Sequence, residues 1–534
     1  MKHLLLIFLF LFACCETGKS ENSNIVTGGT VPEGWNGPVT RILEDNIHST
    51  KQNSTLLLTE KDFDYSHTYG FSRLFRHANL NGYPHDRITG GTLTPEILGN
   101  YDILFINLVH DSRPDFTEAE RTAILDFVAS GGGLFVIADH TNVYEHAQRL
   151  NPILEPAGIR IRYETAIDKG SHSVQGAGWI LIDDFVEHPV TRDVKEIMFL
   201  TGGTMDADSP LAFNSEDGFG DHWNPDNPDK PVGKYGNWVQ DEDEDSGPLP
   251  LSAAAEYGEG RIFVIGDQNL FGNTVLYFLN NSTIAFNAIE WLGKRENDVP
   301  GLRNVKPDGF NIHLDAQADA FTMVQSWDTD DHLSFYFNLS RQNNVRAHST
   351  RSPLPWTPDA FLLVDPVNPV EPPMLAEADD VIASGGQVLL VQDATGITTA
   401  AVDFFQHFVP EAGLTTSDGS PFSFQVGAVV DFILNAEIAL PLRGSTHTLP
   451  WCPAVKCPGH ALLTANSPEG SCDLLCAWET DQGTFLLSMA GGFFYQPLMG
   501  SVHTKPAGES SIYYEFEMEI IETLMSEATL AGQN

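Results

Sequence analysis

The chain has 534 residues, of which 42% are apolar, so it can bury more than one hydrophobic core and is not wholly disordered. Its 72 acidic and 29 basic side chains give a formal net charge of −43. A protein that binds nucleic acid needs clustered lysine and arginine residues to displace counterions, and no such cluster is visible in the sequence. The composition therefore predicts an acidic globular protein and excludes nucleic acid as its partner.

Residues 1–14 have the pattern of a bacterial export signal. Lys2 precedes nine apolar residues from Leu4 to Phe12, which is too few to span a bilayer, since a spanning helix needs about 20. The residues from Leu11 to Cys14 resemble a lipobox in which Cys14 carries the lipid. We therefore expect a lipoprotein-type signal peptide over 1–14 and a protein anchored by lipid at the cell envelope or surface. Ordinary signal cleavage and secretion is the alternative.

The next segment, residues 15–46, is polar and rich in glycine, and it predicts a flexible tether. Strand and helix signals then alternate as far as residue 300. Apolar runs predict strands over 54–58, 102–109, 134–138 and 261–265, and helices are predicted over 118–129, 144–154 and 274–292. Such alternation predicts an α/β fold with a doubly wound, flavodoxin-like parallel sheet.

The second half of the chain repeats this plan. Residues 129–139 and 383–393 are identical at five of eleven positions, and similar strand–helix pairs follow both segments in the same order. We therefore predict two tandem related α/β domains, one over 47–300 and a degenerate repeat over 301–534.

The segment TEAERTAILDFVASGGGLFVIADHTN, residues 117–142, resembles the class I glutamine amidotransferase-like fold, and within it the DUF4350 and ThuA-like branches. The motif HPVTR at 188–192 and the ending GRIFVIGDQNLFGN at 260–273 are similar to segments of the same families. Amidotransferase members use a cysteine in a G-x-C-x-G turn. Because no cysteine occurs between Cys15 and Cys452, thiol-based glutamine hydrolysis by the first half is excluded. No G-x-S-x-G motif of serine hydrolases occurs either.

Polar side chains follow each predicted strand of the first half. In an open parallel sheet, ligands bind beyond the carboxyl ends of the strands, so these side chains are the candidate site. The candidate catalytic residues are His67, Asp139 and His140, and the candidate ligand-binding residues are His110, Asp111, Asn142, Asp267 and Asn269.

The second half has lost most of these groups, so the site is expected in the first half alone. His140 corresponds to Ala394, for example, although His67 corresponds to His332. Three interpretations of the first-half residues remain open. His67, Asp139 and His140 would bind a divalent metal as mixed nitrogen and oxygen ligands, or Asp139 would orient a histidine for metal-free acid–base catalysis. Alternatively, the aspartates only cap the helices that follow the strands.

These interpretations lead to two functional hypotheses. The first is an exported binding or accessory protein that holds a small polar ligand or a glycan. The second is an extracytoplasmic hydrolase, with or without a divalent metal cofactor, that uses the Asp/His cluster. Contact with a membrane is expected only through the lipid anchor.

Four cysteines lie together in the segment 452–476. Cys452, Cys457, Cys472 and Cys476 could form a zinc site, but in an exported protein such a group more often forms disulfides. Two disulfides are therefore predicted, with the pairing left open.

Overall fold

The structure is a computed structural model. It describes residues 24–50, 70–173, 178–222, 236–316, 332–393 and 397–410, and in the last part of the chain 433–434, 438–442, 445–449, 452–453, 460–467, 470–480, 483–499, 506–508 and 510–531. Within these ranges, two large mixed sheets with helices between their strands form an α/β fold, as predicted.

The first half contains fourteen described strands and five described α-helices. The strands are β1 (Ile25–Gly29), β2 (Ile42–Asp45), β3 (His85–Ile88), β4 (Ile103–Ile106), β5 (Gly133–Ile137), β6 (Ile159–Ile167), β7 (Trp179–Ile182), β8 (Asp184–Phe185), β9 (Ile197–Leu200), β10 (Gly203–Ala207), β11 (Pro210–Phe213), β12 (Phe219–His222), β13 (Pro250–Tyr257) and β14 (Gly260–Ile265). The helices are α1 (Ser72–Leu80), α2 (Pro95–Leu98), α3 (Glu118–Ala129), α4 (His146–Leu154) and α5 (Asn281–Leu292).

The second half contains eleven described strands and five described α-helices. The strands are β15 (Phe310–Asp315), β16 (Val345–Thr350), β17 (Ala360–Val364), β18 (Gln387–Val391), β19 (Ile433–Leu434), β20 (Ile438–Leu442), β21 (Ser445–Leu449), β22 (Cys452–Pro453), β23 (His460–Ser467), β24 (Gly470–Glu479) and β25 (Thr484–Ser488). The helices are α6 (Leu333–Ser340), α7 (Pro372–Ala383), α8 (Thr399–Phe408), α9 (Gln496–Met499) and α10 (Ser510–Ala531).

The two large sheets share the order of eight strands, from β3 to β8 in the first sheet and from β16 to β20 in the second. The first runs β1-β3-β2-β4-β5-β14-β13-β11-β8 and the second runs β16-β15-β17-β18-β25-β24-β23-β20-β21. In each, five neighbouring strands are parallel, β3 to β14 in the first and β16 to β25 in the second. One hydrogen bond also recurs at the same place. The backbone N–H of Arg41 donates to Asp102 at 2.7 Å, and that of Asn311 donates to Asp359 at 2.7 Å. The relatedness of the halves is therefore visible in their topology.

Helix α3 shows how the local sequence sets these elements. The Thr117 side chain accepts a hydrogen bond from the backbone N–H of Glu120, and the Glu120 carboxylate accepts one from the N–H of Thr117. This reciprocal capping box fixes the start of the helix. At its end, Gly131 adopts a φ of +112°, a conformation that suits glycine, and β5 begins two residues later. The predicted helix over 118–129 is confirmed.

The predicted tether over 15–46 is wrong where the structure describes it. Residues 42–45 form β2, a buried strand in the parallel part of the first sheet, and residues 25–29 form β1 at its edge. The polar, glycine-rich composition of the segment concealed a strand of only four residues, whose Ile42 and Leu43 side chains pack on opposite faces of the sheet. The predicted strand over 54–58 lies outside the described residues.

Two predicted helices start later than expected. The helix predicted over 144–154 begins at His146, because Tyr144 and Glu145 have left-handed φ values of 55° and 60°. The helix predicted over 274–292 begins at Asn281. Part of the segment that was expected to begin this helix, residues 277–279, instead forms backbone hydrogen bonds with the second half. The backbone N–H of Leu279 donates to Ser349 O at 2.8 Å, and that of Ser349 donates to Tyr277 O at 3.1 Å.

The halves also share a hydrophobic core. Met198, Leu200, Val275 and Phe278 of the first half are buried in the same cluster as the inner strands of the second sheet. Burial of apolar surface is the main favourable term in folding, so this shared cluster joins the halves energetically. Within the described residues, no helix has the length and apolar character needed to cross a membrane.

Candidate functional site

The described side chains at the carboxyl ends of the parallel strands form two groups. Asp139, His140, His110 and Asp111 follow β5 and β4, where the sequence placed them. Asp267 and Asn269 follow β14. His67, the third candidate catalytic residue, lies outside the described residues.

Asp139 is buried and is bonded within its own turn. One carboxylate oxygen accepts a hydrogen bond from the backbone N–H of His140 at 2.7 Å. The His140 Nε2 atom is 3.8 Å from the same oxygen, which is longer than a hydrogen bond, while its Nδ1 atom lies 3.2 Å from Thr141 Oγ1. Asp139 therefore holds the backbone directly after β5, and it is not the N-cap of α4, which begins seven residues later at His146.

His146, which the sequence did not reveal as a site residue, is hydrogen-bonded to this turn. Its Nε2 atom accepts a hydrogen bond from the Asp139 backbone N–H at 3.1 Å, and its Nδ1–H donates to Val143 O at 2.8 Å. Burial lowers the pKa of His146 to about 4, so the ring is neutral at physiological pH. His146 is therefore a positioning residue for the Asp139 turn.

Tyr144 lies close to polar groups that follow two neighbouring strands, β4 and β5. Its ring stacks on the His110 ring, with 4.1 Å between the centroids. Burial, followed by the negative charges of Asp139 and Asp111, raises the pKa of Tyr144. Tyr144 therefore lies within electrostatic reach of one carboxylate after β4 and one after β5. No sequence signal identified it, because the pattern predicted an ordinary helical residue.

The backbone around Tyr144 is strained. Thr141, Tyr144 and Glu145 all have φ values between 50° and 60°, in the left-handed region that residues other than glycine seldom adopt. Each such residue costs about 1–3 kcal/mol and persists only where its surroundings hold it, often at functional sites. Three of them within five positions mark this turn as a constrained part of the first sheet's edge.

His110 and Asp111 form the exposed side of this group. The His110 Nδ1 atom lies 2.9 Å from Asp111 Oδ1 and accepts a hydrogen bond from the Ser112 backbone N–H at 3.0 Å. The Asp111 side chain is 43% exposed, so its carboxylate is open to a ligand.

Three other predicted ligand-binding residues hold backbone in place. Asp267 is buried and accepts hydrogen bonds from the N–H groups of Leu200 at 2.6 Å and Asn269 at 2.7 Å. The Asn269 amide donates to Leu200 O at 3.1 Å. Asn142 accepts from the N–H of Gln148 at 3.2 Å, in the first turn of α4. These bonds tie β14 to β9 and cap α4, which favours the structural interpretation for all three.

A buried cluster after β2 was missed because this segment was interpreted as a tether. The His48 Nδ1–H donates to Asp45 at 2.7 Å, its Nε2 atom is 3.7 Å from Glu120, and its ring stacks on Phe116 at 3.8 Å. The side chains of His48 and Asp45 are at most 1% exposed, so this acid–imidazole pair is buried, which favours a structural role in the loop. The apolar residues at 42–43 before Asp45 were the available signal.

The corresponding edge of the second half is more polar than expected. The His332 Nε2 atom lies 3.2 Å from Asp365, and the Tyr495 hydroxyl donates to Asp393 at 2.9 Å. His332 immediately precedes α6, as Phe71 immediately precedes α1, and the predicted counterpart His67 lies outside the described residues. The second half therefore keeps one carboxylate, Asp393, at the position of Asp139, and the other groups around it differ from those of the first half.

No group of three or more histidine, cysteine, aspartate or glutamate side chains is arranged to hold a metal ion in the described parts of the chain. The metal hypothesis includes His67, so it stays a prediction. The two disulfides stay a prediction as well. Cys476 is buried in β24, whereas Cys457 and the side chains of Cys452 and Cys472 lie outside the described residues.

No protein-family model matches the chain, and no curated protein matches it. Solved structures match about half of it at low identity. The N-terminal domain of mmIFT52 covers 47% of this chain and 97% of its own, with 15% identity and a TM-score of 0.35. A ThuA-like protein from Bacteroides uniformis covers 49% of this chain and 94% of its own, with 14% identity and a TM-score of 0.29. A cytoplasmic protein from Salmonella typhimurium covers 47% and 99%, with 14% identity and a TM-score of 0.29. The strand order, and not these likenesses, defines the fold.

Proposed function

We propose that the protein is an exported, lipid-anchored binding or accessory protein whose first half holds a small polar ligand at the carboxyl edge of its sheet. Carbohydrate is the ligand class that we favour. The amidotransferase-like motifs without a nucleophilic cysteine, in the manner of the DUF4350 and ThuA-like branches, agree with this role. The proposed export and anchoring rest on the sequence of residues 1–14.

The observation that carries the proposal is the position of Tyr144. Its aromatic ring stacks on His110. Burial and the nearby charges of Asp139 and Asp111 raise the pKa of its hydroxyl. Sugars offer an apolar ring face and many hydroxyl donors, so an aromatic ring beside carboxylates suits them. The left-handed backbone that holds Tyr144 keeps this ring in one place before a ligand arrives, which lowers the entropy lost on binding.

The test is binding of the mature chain to a glycan array, followed by calorimetric titration of the glycans that bind. Tyr144→Ala and Asp111→Asn are expected to weaken binding by about tenfold or more, since a hydrogen bond to a charged group contributes about 1.5–3 kcal/mol. Tyr163→Ala is the matched control, because Tyr163 is an exposed tyrosine on β6, outside the site. Binding that survives both site variants, or an array without any bound glycan, would overturn the carbohydrate proposal.

A hydrolase is the second candidate, and the His110–Asp111 pair favours it. Both side chains are partly exposed, and an imidazole and a carboxylate are side chains that general acid–base catalysis commonly uses. Incubating each bound glycan with the mature chain and measuring new reducing ends separates the two functions. Turnover that His110→Gln abolishes would establish the hydrolase, whereas unchanged glycans would leave the binding protein.

A further inference from the structure

A cleft of about 630 Å³ lies between the two halves, away from the residues of the carboxyl-edge site. One wall consists of β1, α1 and β3 of the first half, and the other consists of the residues that precede or begin β15 and β16. Its volume is within the range of about 300–1,000 Å³ that is usual for small-molecule sites, which often lie between domains.

The charge of this cleft is opposite to that of the protein. Among its described lining residues, Arg73, Arg76, Arg87 and Arg346 are positive and Asp308 is the one carboxylate. The whole chain carries a formal net charge of −43 and only 29 lysine and arginine residues. Four arginines around one small cleft therefore form a local positive field in an acidic molecule.

The single carboxylate is shared and does not neutralise this group. Asp308 forms ion pairs with both Arg76 and Arg346, the latter at 3.4 Å. Arg73 is buried and donates instead to two neutral carbonyl oxygens, Asn273 O at 2.9 Å and Gln342 O at 2.7 Å. The positive charges outnumber the negative charge, which leaves a surplus that faces the cleft.

The pKa of Arg73 reflects repulsion between these arginines. Burial, followed by the charge of Arg346, lowers the pKa of Arg73 to about 9. An anion in the cleft would offset this repulsion.

We propose that this cleft binds a small ligand through an oxyanion group, which is a carboxylate, a sulfate or a phosphate. The planar guanidinium group donates two parallel hydrogen bonds to such groups, which makes arginine the preferred residue for them. Arg73, Arg76 and Arg87 come from the first half and Arg346 from the second, so the ligand contacts both halves. This site is independent of the carboxyl-edge site and of the function proposed for it.

The experiment titrates the mature chain with inorganic sulfate, inorganic phosphate and citrate by calorimetry, at constant ionic strength so that screening does not change. At least one of the three is expected to bind saturably. A preference for sulfate or phosphate identifies a tetrahedral oxyanion, and a preference for citrate identifies a carboxylate. Failure of all three to bind would overturn the proposal.

Three variants locate the bound anion. Arg76→Gln is expected to weaken binding about tenfold, because it removes a charged donor. Arg160→Gln is the matched control, because Arg160 is 58% exposed and ion-paired, as the 61%-exposed Arg76 is, but does not line the cleft. Asp308→Asn is expected to tighten binding several-fold, a gain that a folding defect does not produce. Equal affinities in Arg76→Gln and Arg160→Gln, or weaker binding in Asp308→Asn, would contradict the site.

Discussion

Glu44 is a buried residue whose pKa links stability to pH. Its side chain is buried in β2, and burial, partly offset by the charge of Arg87, raises the pKa of Glu44 from 4.5 to about 8. The folded protein therefore holds a proton that the unfolded chain releases. The stability linked to this proton is fully present below about pH 4.5 and is lost as the pH rises through about 8.

Replacing Glu44 with glutamine removes this dependence. Urea unfolding at pH 5.0, 6.5 and 8.5 is expected to show that Glu44→Gln gains stability over the natural chain as the pH rises, by more than about 1 kcal/mol at the highest pH, since one pKa unit corresponds to about 1.4 kcal/mol. Glu118→Gln, an exposed glutamate on α3, controls for the loss of a carboxylate. A constant difference between Glu44→Gln and the natural chain at all three pH values would contradict the raised pKa of Glu44.

For single residues, the sequence predicted the position of a side chain correctly when that residue directly follows a strand. Asp139 and His140 lie at the end of β5, as expected, because the apolar run before them marks that strand. Tyr144 and His146 could not be predicted, since their positions depend on the left-handed turn between β5 and α4. The arginines of the cleft are spread from 73 to 346, so only the fold brings them together.

Among the elements, α3 offers the most direct test of local sequence control. Thr117→Ala removes the side-chain oxygen that accepts from Glu120 N–H, and the loss of such a cap costs about 1 kcal/mol. We therefore expect a lower unfolding midpoint in thermal scans followed by circular dichroism. Thr122→Ala places the same substitution at an exposed position within the same helix, where alanine is the better helix former. Equal midpoints for the two variants would show that the capping box has no net effect.

Elements with strong apolar runs were predicted well, and those decided by distant contacts were not. Strands β4, β5 and β14 and helix α3 follow from the sequence, because long apolar runs and a capping motif mark them. Strand β2 has only four residues and lies within a polar segment, so the composition of that segment predicted a tether and not a strand. Residues 277–279 were predicted to be helical, but hydrogen bonds between this segment and Ser349 hold them outside the helix.

At the scale of the whole molecule, the shared core predicts cooperative unfolding. Phe278 is 2% exposed and packs with the second-half strands, although it belongs to the first half. Phe278→Ala is expected to destabilise the protein by about 3–5 kcal/mol, as large-to-small changes in cores do. Calorimetry should show one main transition in the natural chain and a lower or divided transition in the variant.

Phe361→Ala, in the inner part of the second sheet, is the matched control, because it removes the same ring without touching the junction. It should lower the transition without dividing it. Two well-separated transitions in the natural chain would show that the halves unfold independently, contrary to the shared core.

The pairing of residues 277–279 with β16 also determines how the chain can be divided. Strand β16 lies at the end of the second sheet, and the segment around Phe278 occupies its outer side. A fragment beginning at residue 301 would lack that segment and would present a bare row of backbone donors and acceptors, which is a template for aggregation. The second half thus shares the strand order of the first half but uses residues of the first half to cover the edge of its sheet. A soluble fragment of the second half would have to include residues 277–279, which precede α5.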